Sequence, residues 1–235
     1  MAEQIYTIPI NEAFAQKDGC PLCRLRAKLE QDSLDYVMGA AMMEPDVRVT
    51  TNRLGFCRSH FDRMLGMKNR LSLALMLESH LDTVAELFPA EEPASGRKSK
   101  LRKYAGTTPA AEARKQSCSC FVCSRVAGFE EKYLDNTVHL WKKEPAFREL
   151  FAAQPWFCLN HYAGLLDQGQ QQLSEDSFSG FQAALNAIMA RYIKQLREDV
   201  TGFCRTFDYR SGSTPMTEDQ RTAVPRAADF LSGGS

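Results

Sequence analysis

Eight residues of this chain carry metal-ligand chemistry at a repeated spacing. Cys20 and Cys23 form a Cys-x-x-Cys pair, and so do Cys120 and Cys123; Cys57 with His60, and Cys158 with His161, form Cys-x-x-His pairs. Thiolate and imidazole are the donors zinc takes, and three cysteines with one histidine complete a tetrahedral shell that leaves no position for a substrate. One Cys-x-x-Cys alone is a weak signal, shared with redox motifs. Its repetition with a matched Cys-x-x-His, after 33 intervening residues in one case and 34 in the other, is a strong one.

The repetition extends beyond the ligands. Leu34-Asp35, Glu44-Pro45 and Arg48 recur as Leu134-Asp135, Glu144-Pro145 and Arg148, all displaced by 100 positions from Cys20/Cys120 onward. After one inserted residue, Phe56-Cys57-Arg58-Ser59-His60-Phe61 is answered by Phe157-Cys158-Leu159-Asn160-His161-Tyr162. The expectation is an all-α, internally duplicated protein whose helical modules are each stapled by a Cys3His site. Its organisation would be a first module at 1–90, a flexible basic linker at 91–116, a second module at 117–206 and a tail with a short helix at 207–235.

Helices must position these ligands. Leu73, Met76, Leu77, Leu81, Val84 and Leu87 recur at three- and four-residue steps, as do Phe181, Leu185, Ile188, Tyr192 and Leu196, which marks two core-facing stripes. Helices are also expected from Cys23 to about Met38 and from Cys123 to about Trp141, broken near Glu44-Pro45 and Glu144-Pro145, because proline cannot continue a helix interior. No segment shows strand alternation. Thiolates at helix starts gain from unpaired backbone N–H groups and the positive dipole end. Thr217 with Gln220 reads as a cap opening a tail helix that runs to about Leu231.

Pairing of the ligands stays open at this level. An outgoing helix of about 18 residues covers about 27 Å, and the dozen residues after it fall short of retracing that path if they too are helical. Either the return is partly extended, or the helix stops early, or the Cys-x-x-Cys of one copy meets the Cys-x-x-His of the other. Pairing within a copy is the preferred expectation: Cys20, Cys23, Cys57 and His60 in one site, Cys120, Cys123, Cys158 and His161 in the other.

The remaining residues narrow the function. Lys plus Arg and Asp plus Glu both number 29, so the formal charge is zero and gives no whole-molecule attraction to nucleic acid or anionic lipid. No apolar run is long enough to cross a membrane and no signal segment opens the chain, so a cytoplasmic protein without membrane association is expected. Reduced cysteines follow from that compartment. Cys118 reads as a spare thiol and Cys204 as a packing residue, while His80 and His139 have no partner at ligand spacing. Phosphate loops, nucleophile elbows and paired-carboxylate motifs are absent, which argues against an enzyme.

The chain resembles a family of uncharacterised proteins of anaerobic Gram-positive bacteria, classed as a domain of unknown function and sometimes carrying an ABC-transporter substrate-binding label. The likeness rests on Cys20-Pro21-Leu22-Cys23, Gly55-Phe56-Cys57-Arg58-Ser59-His60-Phe61, the second Cys-x-x-Cys and Cys-x-x-His, Phe207-Asp208-Tyr209-Arg210 and Pro225-Arg226-Ala227. It implies an all-helical, cysteine-rich protein and brings no activity. The transporter label is set aside for want of an export signal or a lipid-anchor cysteine. The leading expectation is a non-enzymatic protein with two structural zinc ions, iron–sulfur being second choice, that acts through protein partners. A thiol- or metal-based redox switch is the alternative. Nucleic-acid binding through Arg97, Lys98, Lys100, Arg102 and Lys103 is a third.

Overall fold

The structure is a computed structural model that describes residues 4–88, 108–207 and 215–233. Its elements are α1 (Gln4–Ala15), α2 (Pro21–Met38), a 3-10 turn (Ala40–Met43), α3 (Pro45–Leu54), α4 (Arg58–Gly66), α5 (Arg70–Ala85), α6 (Pro109–Cys118), α7 (Phe121–Lys143), α8 (Pro145–Ala152), α9 (Leu159–Gln172), α10 (Glu175–Arg205), α11 (Glu218–Arg221) and α12 (Ala223–Ser232). Among the described residues there is no strand. The all-helical expectation holds.

Two compact units divide the chain. One comprises Met1–Lys28 with Phe129–Ser235, the other Leu29–Gly128. Both boundaries fall inside helices, in α2 and α7.

In the discontinuous unit α1 packs on α8, and α10 lies against α8, α9 and α12. Phe14 meets the rings of Phe147, Phe151 and Phe157 at centroid separations of 4.9, 6.0 and 6.1 Å, and all four are buried. The α10 stripe is core as expected: Phe181, Leu185, Ile188 and Leu196 are buried. In the continuous unit α3 packs on α5 and α6, around Leu34, Val37, Val47, Met64, Leu73, Met76 and Val122. The α5 stripe is only half right. Leu73 and Met76 are buried, but Leu81 is 61% exposed and Leu87 lies past the helix end.

Local chemistry accounts for the helix ends. Glu44 and Glu144 cap α3 and α8, with Pro45 and Pro145 in the first turn, where a missing N–H costs nothing. Gly55 ends α3 with φ 59° and ψ −156°, a region side chains avoid. The tail cap is as expected, the Thr217 hydroxyl accepting from Gln220 N and the Gln220 side chain from Thr217 N, although the tail helix is split at Thr222 into α11 and α12.

Helices α1 and α6 were not anticipated. Residues 109–116 of the expected linker are helical, in α6, because Thr108 caps Ala111 N and Pro109 opens an alanine-rich turn. Helix α1 lies ahead of the repeat and carries Pro9 within it. Residues 91–107, with the basic run, lie outside the described residues, as does 208–210 of the family-like motif.

Candidate metal centres

Each cluster is built from two helix starts. Cys20 precedes α2 and Cys23 sits in its first turn; Cys158 caps α9 and His161 sits in its first turn. Cys57 and His60 stand likewise on α4, and Cys120 and Cys123 on α7. The cap-to-third-residue spacing puts both side chains on the end of the helix, where free N–H groups point outward. Cys123 N donates to Cys120 Sγ at 3.5 Å, so the thiol itself serves as a cap acceptor.

The groups that meet are Cys20, Cys23, Cys158 and His161, and Cys57, His60, Cys120 and Cys123. This crossed arrangement overturns the expected pairing within a copy. The reason is the one the path length raised: α2 and α7 run on for 18 and 23 residues, and the helices that follow do not bring Cys57 or Cys158 back to the start of its own copy.

Hydrogen bonds hold the paired turns together. In the continuous unit Phe121 N donates to Gly55 O at 2.9 Å and Ser119 Oγ to Leu54 O at 2.7 Å, setting the Cys120 turn beside Cys57. In the discontinuous unit the fully buried Gln154 donates to Phe14 O at 2.6 Å, and Arg24 to Ala13 O at 2.8 Å.

Distances within the clusters suit a single ion. Tetrahedral bonds of about 2.3 Å to sulfur and about 2.0 Å to nitrogen set edges of about 3.8 Å between sulfurs and about 3.5 Å from sulfur to nitrogen. In the first cluster Cys23 Sγ lies 3.5 Å from Cys158 Sγ, and His161 Nδ1 is 3.5, 3.3 and 3.0 Å from Cys20, Cys23 and Cys158 Sγ. In the second, Cys57 and Cys123 Sγ are 3.8 Å apart, and His60 Nδ1 is 3.0, 3.2 and 3.5 Å from Cys57, Cys120 and Cys123.

Each histidine is oriented by a glutamate that sequence reasoning missed. His60 Nε2 lies 2.7 Å from Glu30 Oε1, and His161 Nε2 lies 2.7 Å from Glu130 Oε1. A carboxylate there calls for the proton on Nε2 and leaves the Nδ1 lone pair facing the sulfurs. Arg63 pairs with Glu30 at 2.6 Å and Arg26 with Glu130 at 3.7 Å. Burial opposes ionisation of both carboxyls, but hydrogen bonds from Arg63 and His60, and from His161 with the nearby Arg26 charge, hold them below the usual carboxylate value. A signal was present: Glu30 and Glu130 stand ten residues after Cys20 and Cys120, inside the same 100-residue displacement.

The thiols titrate apart. Burial, with hydrogen bonds to Cys158 and Cys23, raises Cys20, whereas hydrogen bonds from Cys20 and Cys23 drive Cys158 far down. Burial and the Cys120 charge push Cys123 up to about 12. Burial also works against Cys57, but hydrogen bonds from Ser59 and His60 bring it down to about 6. His161 resists burial through Cys158, Cys23 and Glu130 and is pushed up to about 11. Three thiolates around one point repel one another, and a divalent cation is what would let all of them ionise together.

The other sequence candidates fall outside both clusters. Cys118 is exposed. Cys204 is exposed as well, where packing was expected, because it lies past the last buried residue of the α10 stripe. His80 Nδ1 is bonded to Asn52 O at 2.8 Å. Among the described residues no helix is long and apolar enough to cross a membrane.

No curated protein matches this chain, and neither does any solved structure. A family model does, over residues 1–235. The chain belongs to the family of unknown function DUF6062.

Proposed function

We propose that this protein holds two structural zinc ions, one in each crossed Cys3His cluster, and acts through protein partners rather than by catalysis. The observation that carries this reading is the geometry: three sulfurs and one imidazole Nδ1 at the edge lengths of a single tetrahedral ion, twice, with a carboxylate behind each imidazole. Each imidazole Nδ1 lies within 3.5 Å of all three sulfurs of its cluster, which favours one ion over an iron–sulfur cluster, whose four protein ligands are divided among two or more irons. Four protein donors leave no open coordination position, which supports a structural role. In each cluster, two helix N-termini face the net negative charge of an ion with three thiolates.

Elemental analysis of untagged protein purified without oxygen tests this reading. It should find about two zinc ions per chain. Double variants test the pairing: Cys20→Ala with Cys158→Ala removes ligands of one site and should cost about one ion, whereas Cys20→Ala with Cys57→Ala should cost about two. The opposite pattern would restore pairing within a copy, and absence of metal from the wild-type chain would sink the zinc reading.

A further inference from the structure

We propose that Cys57 and Cys123 form an oxidisable pair that a hydroperoxide converts to a disulfide, releasing the ion of their cluster, while the Cys20/Cys23/Cys158/His161 cluster stays closed. The proposal rests on the zinc reading above for the ion, and on exposure and distance for the pair.

The two clusters share their donors but not their solvent access. In the first, Cys20, Cys158 and His161 are buried and Cys23 is half-buried. The end of α12 covers it: Asn160 Nδ2 donates to Ser232 O at 3.3 Å, and a Cβ at Gly233 would lie only 3.7 Å from Cys158 Sγ. In the second, His60 and Cys120 are buried, but Cys57 is half-buried and Cys123 is exposed. The two accessible thiols are neighbours, with sulfurs 3.8 Å apart. Oxidation follows thiolate character and access, and a bound ion keeps a coordinating thiol in its thiolate form. Of eight cysteines, these two alone combine exposure, ligation and a partner sulfur that is itself accessible. Cys118 and Cys204 are exposed but belong to neither cluster.

The chemistry balances without a cofactor. The Cys123 thiolate, the more exposed of the two, attacks one oxygen of the hydroperoxide. The O–O bond breaks, the other oxygen leaves with a proton as an alcohol or water, and Cys123 becomes a sulfenic acid. The Cys57 thiolate then attacks that sulfur; the S–S bond forms and hydroxide leaves, protonated, as water. Two thiolates, one hydroperoxide and two protons give one disulfide, one alcohol and one water: the cysteines lose two electrons and the peroxide gains them. Half the ligand shell is gone, and the ion dissociates.

The test uses the full chain, purified without oxygen, treated with stoichiometric hydrogen peroxide in the presence of a chromogenic zinc chelator, with free thiols and disulfides mapped by alkylation and mass spectrometry. Release of about one zinc ion is expected, together with a Cys57–Cys123 disulfide and with Cys20, Cys23 and Cys158 still reduced. Thiol reductant with added zinc should reverse both. A Cys118→Ser variant should behave identically. Release of both ions together, no release, a Cys20–Cys23 bridge, or a disulfide through Cys118 would overturn the proposal. A chain that carries no metal at the outset refutes the zinc reading instead, and the disulfide map then still decides the pair.

Discussion

Replacing Glu130 with alanine isolates what the carboxylate behind His161 contributes. The His161 side chain is 3% exposed and that of Glu130 22%, and their contact of 2.7 Å joins a ring nitrogen to an ionised carboxylate. Such a charge-assisted hydrogen bond contributes about 1.5–3 kcal/mol, and its loss strands a buried N–H. At about 1.4 kcal/mol per tenfold change, zinc affinity at this cluster should fall by about 10- to 100-fold. The other cluster, served by Glu30, provides an internal control and should be unaffected. The assay is competition against a chelator of known affinity, followed as two titration steps, with helicity checked by circular dichroism. Glu130→Gln should recover much of the loss, because the amide oxygen still accepts from Nε2. Equal affinity in wild type and Glu130→Ala would refute the claim that this glutamate sets which imidazole nitrogen faces the sulfurs.

Acidification should strip the metal, because each bound ion needs three deprotonated thiols and a neutral imidazole, so chelator-monitored occupancy falls as the pH falls, and the loss should begin above the carboxylate range. The glutamate pairs cannot cause that early loss: their depressed carboxyls lend stability that is complete above the ordinary value of 4.5 and disappears only as the pH drops through the lower folded value. Release confined to pH below about 4 would contradict this assignment. Gly55→Ala should cost about 1–3 kcal/mol in a denaturant titration, since φ 59° with ψ −156° suits only glycine, and a Cβ there would crowd His80 Nε2 at 3.0 Å. Phe230→Ala should destabilise the chain by about 3–5 kcal/mol, because this buried ring fills the space beside Trp156 and Tyr192. It should also speed alkylation of Cys158, which lies by the α12 end; unchanged reactivity would show that α12 does not shield that thiol.

The eight clustered Cys and His residues were legible in the sequence because such a set depends on residue type and on spacing within one helical turn, which residues 20 and 23 or 158 and 161 satisfy wherever the helix lies. Breaks at Pro45 and Pro145 were legible for a similar reason, as proline constrains its own backbone. Pairing depends instead on where separate helix ends meet. The one clue at that level is that helical chain after α2 is too short a return path, and it points against closure within a copy. Glu30 offered a second clue. Ten residues of helix carry it about 15 Å from Cys20, so a carboxylate there cannot orient a histidine bound beside Cys20 and has to serve another site. Leu81 and Cys204 are exposed against expectation because three- and four-residue periodicity marks a helix face without saying how far along the helix that face stays covered. Helix α6 was hidden by the polar composition around it, although Thr108-Pro109 carried the start signal.

Chain entropy does little to distinguish the two clusters. The shortest link between the two halves of a cluster joins residues 135 apart in sequence in one and 60 apart in the other. Closing the longer loop costs only about 0.7 kcal/mol more, since loop entropy grows with the logarithm of length. On the zinc reading the two ions therefore constrain the unfolded chain almost equally. Their donor sets are identical, and the carboxylate contacts behind both histidines are 2.7 Å. What separates them is solvent: a covered Cys158 in one, an open Cys123 in the other. Stepwise metal loss under oxidation, with the Cys57/Cys123 cluster going first, then follows from access alone. Loss of both ions under the same oxidant dose would overturn that order, because it would mean that the cluster of Cys158 is as open to the oxidant as Cys123 is.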